Sequence, residues 1–347
     1  MKVVQLMATV MPLLDFVIGL SYVLTIVYGG YLTLTGQITL GRFVAFNQYI
    51  GMLVWPMIAF GDSITYLSQG KAAMRRISEI FDEVAEIQDE NVLDIESLKG
   101  VIEINDLSFR YGDNLPEALL NINIRINEGE TLAILGKTGS GKTTFVNLLM
   151  RLYNVDRNMI RIDGHDIHDI SLKTLRSHIA YVPQDNYLFS DTIENNVAFG
   201  NPNATKEEII QACKDACVHD NIITFPKQYE TMVGERGVTL SGGQKQRCSI
   251  ARALIKEAPI LILDDSLSAV DTDTEEEILS NLKQRTMKQT TIIIAHRVST
   301  LKNADHIMVL DEGKIVEYGN FDELMNQDGY FKHLYDKQQL QQQLVME

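Results

Sequence analysis

Residues 131–144 read TLAILGKTGSGKTT, and this stretch decides the fold of the domain around it. It fits the spacing G-x-x-x-x-G-K-[ST] and lies between a short apolar strand and the helical segment KTTFVNLLMRLY, residues 142–153. Such glycines let backbone N–H groups close around phosphates at a helix N-terminus, where the helix dipole favours anions. We therefore predict a phosphate-binding loop formed by Gly136, Lys137, Thr138, Gly139, Ser140, Gly141, Lys142, Thr143 and Thr144.

Short apolar strands alternate with helical stretches on the C-terminal side of this loop, a pattern that predicts a parallel α/β sheet. The strands read IAYV (179–182), ILILD (260–264), TIIIA (291–295) and HIMVL (306–310). On the N-terminal side, residues 102–104 and 122–126 alternate isoleucine with polar residues, as in strands that bury one face. We assign residues 101–337 to one domain and residues 338–347 to a tail.

Two apolar segments, residues 10–34 and 43–67, precede this domain, and each contains one charged residue in 25. About 20 apolar residues are enough for a helix to cross the hydrocarbon core of a membrane. A signal peptide would be shorter and would end at a small-residue cleavage site, and a buried core helix would show a polar stripe. We therefore predict two transmembrane helices within residues 1–80 and a linker over residues 81–100.

The distribution of charge predicts the orientation of the chain in the membrane. The chain has a net charge of −15; residues 1–80 contribute +2, so the remainder carries −17. Lys71, Arg75 and Arg76 follow the second apolar segment, and the positive-inside rule places such a cluster in the cytoplasm. We predict a multi-pass protein of the cell membrane with a cytoplasmic C-terminal domain. Because that domain is strongly acidic and would repel a phosphate backbone, we expect no nucleic-acid partner.

Two acidic residues, Asp264 and Asp265, stand at the end of the strand ILILD. When a phosphate-binding loop precedes it in the chain, a carboxylate at a strand end is suited to hold hydrated Mg²⁺ on a nucleotide. Lys142 can reach the β- and γ-phosphates, and the Thr143 hydroxyl can bind the metal. The sequence therefore predicts a site for a nucleoside triphosphate with Mg²⁺.

A second glycine-lined helix start, LSGGQ at residues 240–244, precedes the helical segment KQRCSIARALIKEA. The chain's own phosphate-binding loop does not need this additional anion-binding position. The element resembles the signature of ATP-binding cassette (ABC) proteins, formed here by Ser241, Gly242, Gly243 and Gln244. The resemblance covers residues 101–330, because further ABC elements follow the family's order: Tyr111 (the adenine-stacking aromatic), Gln184 (the Q-loop), VGERG at 233–237 (the X-loop), SAVD at 268–271 (the D-loop) and His296 (the switch histidine).

Resemblance to ABC exporters implies an α/β P-loop ATPase domain with a parallel core sheet, an antiparallel β subdomain and a helical signature subdomain, preceded by two transmembrane helices. It implies ATP and Mg²⁺ as cofactors. The implied catalytic residues are Asp265, His296 and Gln184, and the implied metal ligands are Thr143, Gln184 and Asp264. Two cassettes associate head to tail, so that each ATP lies between one phosphate-binding loop and the other chain's signature. The expected activity is ATP hydrolysis that powers export of a substrate that the sequence does not identify.

Two features depart from the family's pattern. Asp265 stands where the family has Glu, and its carboxylate is one methylene shorter, which favours slow hydrolysis at this chain's own site. We therefore expect the partner to be a different half-transporter, with a homodimer as the alternative. Only the last two of six expected membrane helices are present, so we expect a fragment of a half-transporter or a truncated gene product.

The other candidate functions are a nucleotide-binding regulatory subunit with little hydrolysis and a soluble ABC ATPase of DNA repair or translation.

Overall fold

The computed structural model describes residues 2–237, 239–285, 289–295 and 297–346. It divides the chain into two compact units, Met1–Ala85 and Glu86–Glu347. The structure thus groups residues 86–100, which we predicted as part of a linker, with the second unit.

The first unit consists of two long helices, α1 (Lys2–Leu34) and α2 (Leu40–Phe81). Thr39 caps α2, because its side chain accepts a hydrogen bond from the backbone N–H of Arg42. Both helices are long and apolar enough to cross a membrane, and none of the side chains in their most apolar windows is buried within the unit. Helices α1 and α2 contain the two predicted spans, residues 10–34 and 43–67, and are therefore the candidate membrane helices.

In the described residues of the second unit, ten strands form two sheets. The strands are β1 (Ile102–Phe109), β2 (Leu119–Ile126), β3 (Thr131–Gly136), β4 (Ile160–Ile162), β5 (His165–Asp166), β6 (Ile179–Val182), β7 (Ile260–Asp264), β8 (Thr290–Ile294), β9 (His306–Asp311) and β10 (Lys314–Gly319). The smaller sheet is antiparallel in the order β2-β1-β4-β5. The larger has the order β10-β9-β3-β8-β7-β6 and is parallel except for its edge strand β10.

Helices complete the second unit around these sheets. They are α3 (Lys142–Leu149), α4 (Leu172–Ser177), α5 (Ile193–Ala198), α6 (Lys206–Asp215), α7 (His219–Ile223), α8 (Gly242–Leu254), α9 (Thr272–Arg285), α10 (Val298–Leu301), α11 (Phe321–Asn326) and α12 (Tyr330–Met346). Helices α5 to α8 form the helical subdomain, and the signature lies at the start of α8. The predicted fold class, with its parallel core sheet, antiparallel sheet and helical subdomain, is confirmed.

The parallel sheet is buried on both faces, which explains why its strands read as continuous apolar runs. Along β3, Leu132 and Ile134 pack into one buried cluster, whereas Ala133 and Leu135 pack into the other. In this sheet β8 lies between β3 and β7. Because β8 pairs in parallel with both, the carboxyl ends of β3 and β7 lie at the same edge of the sheet. Ligands commonly bind at this edge in open α/β sheets.

Candidate functional site

The loop after β3 requires glycine at both of its ends. Gly141 caps α3 in the left-handed conformation, with φ of 104°, and a Cβ atom there would lie 2.6 Å from the Ala118 carbonyl oxygen. A Cβ on Gly136 would overlap the carbonyl oxygen of Leu310. The loop is therefore pressed against neighbouring backbone and leads directly into the N-terminus of α3, where backbone N–H groups and the helix dipole favour a phosphate.

Lys142 lies inside this loop and is almost buried. Its ammonium group donates hydrogen bonds to the carbonyl oxygens of Gly136 and Lys137, both at 2.8 Å. Burial lowers the pKa of Lys142, and the nearby carboxylates of Asp264 and Asp265 act in the opposite direction. The side chain thus presents a positive charge at the phosphate-binding loop, held by carbonyl groups that a phosphate can replace.

Asp264, the last residue of β7, supplies the candidate metal-binding carboxylate. It is 1% exposed, and the Tyr181 hydroxyl donates a hydrogen bond to its Oδ2 at 3.3 Å. The pKa of Asp264 is raised, because burial disfavours the charged carboxylate. Hydrogen bonds from Thr143 and Tyr181 act in the opposite direction and reduce this increase. A hydroxyl and a carboxylate beside a phosphate site form an oxygen donor set that fits Mg²⁺, which keeps several waters and needs few protein ligands.

Gln184 and Asp265 meet at the same edge of the sheet. The Gln184 Nε2 donates to Asp265 Oδ2 at 3.3 Å, and the Asp265 backbone N–H donates to the Ile294 carbonyl at 3.0 Å. Asp265 has a φ of 47°, in the left-handed region that non-glycine residues rarely adopt. The predicted catalytic residue Asp265 is therefore held in an uncommon backbone conformation.

Tyr111 provides an aromatic surface beside the loop. The residue is 46% exposed, and its hydroxyl lies 3.0 Å from Thr144 Oγ1. The planes of the Phe109 and Tyr153 rings are nearly perpendicular to it, each with a centroid distance of 5.0 Å. These contacts restrain the Tyr111 ring at the edge of the cleft, where an exposed aromatic side chain suits stacking of a planar base.

These residues line one cleft of about 320 Å³. Of the predicted site residues, the cleft brings together Tyr111, Thr138, Gly139, Gly141, Lys142, Thr143, Thr144, Gln184, Asp264 and Asp265. Gly136, Lys137 and Ser140 belong to the frame of the loop and do not line the cleft. His296 lies outside the described residues.

The signature residues do not line this cleft in the described part of the chain. Ser241 caps α8 by a reciprocal pair of bonds: its hydroxyl accepts from the Gln244 N–H at 3.3 Å, and its own N–H donates to Gln244 Oε1 at 2.9 Å. Ser241 and Gly242 are exposed. Gly243 permits close packing, because a Cβ there would lie 2.9 Å from the Ala269 carbonyl oxygen.

Sequence reasoning missed Tyr181, whose hydroxyl bonds to Asp264. The residue lies in the strand IAYV, where it resembles any other packed aromatic residue. Its role depends on the parallel pairing of β6 with β7, in which Tyr181 lies beside Ile262, two residues before Asp264. The only available signal was a polar hydroxyl within an otherwise apolar strand.

Comparisons with known proteins agree with this geometry. Residues 119–268 match the family model described as ABC transporter. The chain is 43% identical over 328 residues to the uncharacterized ABC transporter ATP-binding protein YknU of Bacillus subtilis, covering 94% of this chain and 56% of YknU. It is 42% identical over 339 residues to an ATP-dependent lipid A-core flippase of Syntrophus aciditrophicus, covering 97% and 56% respectively.

A solved structure of a bacterial Atm1-family ABC exporter with ATP bound is also similar, with a TM-score of 0.83 and 35% identity. The match covers 93% of this chain and 57% of the exporter. The chain thus spans a little over half the length of the proteins it matches. Since sequence and fold agree over nearly all of its residues, the chain belongs to the ABC transporter family.

Proposed function

We propose that this chain binds ATP with Mg²⁺ in the cleft beside Lys142 and hydrolyses ATP, together with a second cassette, to drive export across a membrane. The observation that carries the proposal is the cleft itself, which joins the phosphate-binding loop, an aromatic surface and two carboxylates. ATP binding by the 347-residue chain in lipid nanodiscs, compared with adenosine, tests it. No binding of ATP would reject it.

Each residue of the cleft has a separate role in this proposal. Lys142 exchanges its two carbonyl partners for the β- and γ-phosphates, and the Tyr111 ring stacks on adenine. Thr143, Gln184 and Asp264 would hold Mg²⁺, which would supply positive charge beside the phosphates. Asp265 accepts the proton of the attacking water, which Gln184 helps to position. Because the side chain of Asp265 is short, we expect hydrolysis at this cleft to be slow.

A second cassette is part of the proposal because the signature of this chain does not line its own cleft. Ser241 is exposed at the start of a helix of 13 residues, where N–H groups and the helix dipole can receive the phosphates of another chain's ATP. Asp265 favours a partner with a faster site, which makes a heterodimer our first proposal and a homodimer the alternative. Because Asp265 favours slow hydrolysis, the alternative function is that of a regulatory subunit that binds ATP with little turnover.

We further propose that α1 and α2 cross a cell membrane and leave the ATP-binding unit in the cytoplasm. The length and apolar composition of both helices support this, as does the cluster of Lys71, Arg75 and Arg76 after the second apolar segment. The lipid A-core flippase and the Atm1-family exporter named above are transport proteins of this family. Export is therefore the activity we propose, with the substrate selected by the membrane helices.

A cysteine introduced at exposed Gln37, in the turn between α1 and α2, tests this topology. In intact cells Gln37→Cys should react with an impermeant thiol reagent, because the turn is expected to lie outside the cytoplasm. The matched control is Glu207→Cys, an exposed position on α6 that should react only after permeabilisation. If Gln37→Cys also required permeabilisation, the proposed orientation would be wrong.

A further inference from the structure

The left-handed backbone of Asp265 is held from two sides. On one side its N–H donates to the Ile294 carbonyl of β8 at 3.0 Å. On the other side its carbonyl oxygen accepts a hydrogen bond from the Ser268 hydroxyl at 2.9 Å. Uncommon backbone conformations persist where the surrounding structure determines them, so these contacts bear on where the Asp265 carboxylate points.

Gln246, on α8, engages the same loop through both ends of its amide. Its Nε2 donates to Ser268 Oγ at 3.2 Å, and its Oε1 accepts from the Ala269 N–H at 2.9 Å. The residue is 6% exposed. The Ser268 hydroxyl thus accepts from Gln246 and donates to Asp265, which forms a continuous, polarised chain of hydrogen bonds.

The first turns of α8 are also packed closely against this loop. At Gly243 there is no room for a side chain against the Ala269 carbonyl. The Arg297 guanidinium also donates to this loop, to the carbonyls of Val270 at 2.8 Å and Ser268 at 3.3 Å. The loop 268–270 is therefore bound by both α8 and Arg297, and among the described residues Gln246 supplies its side-chain hydrogen bonds to the signature helix.

We propose that Gln246 is a positioning residue that fixes Asp265 relative to the signature helix through Ser268 and Ala269. Its catalytic consequence rests on the proposed function. The same amide links the residue that acts on this chain's own ATP to the helix whose start receives a partner's ATP. Loss of the Gln246 amide should make the loop 268–270 more mobile and misplace the Asp265 carboxylate. The phosphate-binding loop should still bind ATP.

The test replaces Gln246 with Met, which keeps the length of the side chain and removes both hydrogen bonds. Hydrogen exchange of residues 265–271 in the nucleotide-free chain should become at least ~10-fold faster, with α8 unchanged. The matched control is Gln211→Met, the same change on the exposed surface of α6, where the amide bonds only to Asp215 among the described contacts. Unchanged exchange of residues 265–271 would overturn the proposal.

Kinetics then separate positioning from general stability. In single-turnover experiments on the complete transporter, Gln246→Met should slow hydrolysis at this chain's cleft by at least ~10-fold and change ATP affinity by less than ~2-fold. Ser268→Ala should give a similar loss, and the double variant little more, because both act on one contact with Asp265. The role in positioning would be refuted if the two substitutions slowed hydrolysis additively. It would also be refuted if Gln246→Met accelerated hydrogen exchange of residues 265–271 and left the hydrolysis rate normal.

The two measurements also distinguish this inference from the proposed function. If the wild-type transporter did not hydrolyse ATP, the proposed function would fail. The exchange experiment needs neither nucleotide nor turnover, so its result would still show whether Gln246 holds the loop at Asp265.

Discussion

Lys142→Ala is expected to weaken ATP binding by about 100-fold and to leave adenosine binding almost unchanged. The Lys142 ammonium group lies inside the phosphate-binding loop, where it donates to two carbonyl oxygens at 2.8 Å. It can therefore contribute to the binding of phosphates and has no part in holding the base. Equilibrium binding of ATP and adenosine to the chain in nanodiscs, with and without the substitution, measures the difference.

Tyr111→Ala is the control for this experiment, because it removes the stacking surface and keeps the charge. Affinity for ATP and for adenosine should fall by the same factor, about 10-fold, as for loss of one base–aromatic stack. The proposed phosphate role of Lys142 would be wrong if Lys142→Ala weakened adenosine as much as ATP.

Ser241→Arg is expected to abolish ATP turnover in the complete transporter. The substitution removes the cap of α8 and places a long cation at the exposed helix start, where the dipole repels positive charge and a partner's phosphates must approach. Asp265→Asn, in contrast, should leave most turnover intact, because the faster site is expected to use the partner's own carboxylate. Steady-state phosphate release by both variants measures this contrast.

The chain supplies a matched control for loss of a helix cap. Thr205 caps α6 with the same reciprocal bonds to Glu208 that Ser241 makes to Gln244, and it lies outside the cleft and the signature. Thr205→Arg should therefore retain turnover, which would attribute the effect of Ser241→Arg to the signature. If Asp265→Asn stopped hydrolysis as completely as Ser241→Arg, Asp265 would be a working catalytic base and the asymmetric arrangement would be wrong.

Local patterns were sufficient to predict the architecture and most of the cleft. Glycine spacing identified the loop before α3, and the apolar run ILILD identified both the strand β7 and the acidic residues at its end. The residues that meet in the cleft could be grouped because the family resemblance supplied what the strand pattern alone does not, namely that β3 and β7 lie close together in the parallel sheet. In the structure β8 lies between them and pairs in parallel with both, so that they end at the same edge.

Long-range contacts account for what the sequence did not reveal. The helix after the loop was expected to reach Tyr153, but α3 ends at Leu149, and Arg151 follows with a left-handed φ of 50°. The Arg151 guanidinium donates to the Gln88 carbonyl at 2.9 Å, more than 60 residues away in the chain. This contact holds part of the predicted linker on the second unit. No local pattern signals such a pairing.

The contacts of Gln246 were hidden for the same reason. In the sequence it is one polar residue among several in KQRCSIARAL, and helical periodicity says only that part of this segment is buried. Its role depends on the approach of the loop 268–270 to the first turns of α8, a packing that requires Gly243 and is set by tertiary structure. Burial of a glutamine with both amide atoms bonded is the feature that distinguishes it from its neighbours.

The position of bound ATP is the most direct test of the central claim that the cleft beside Lys142 binds nucleotide. An ATP analogue with an azido group on adenine should, on illumination, label the peptide that contains Tyr111, and excess ATP should prevent the labelling. Lys142→Ala should lose the label at the same analogue concentration. Label that persists in excess ATP, or that falls elsewhere, such as the separate cleft lined by Leu279, Lys283 and Asn303, would contradict ATP binding at this site.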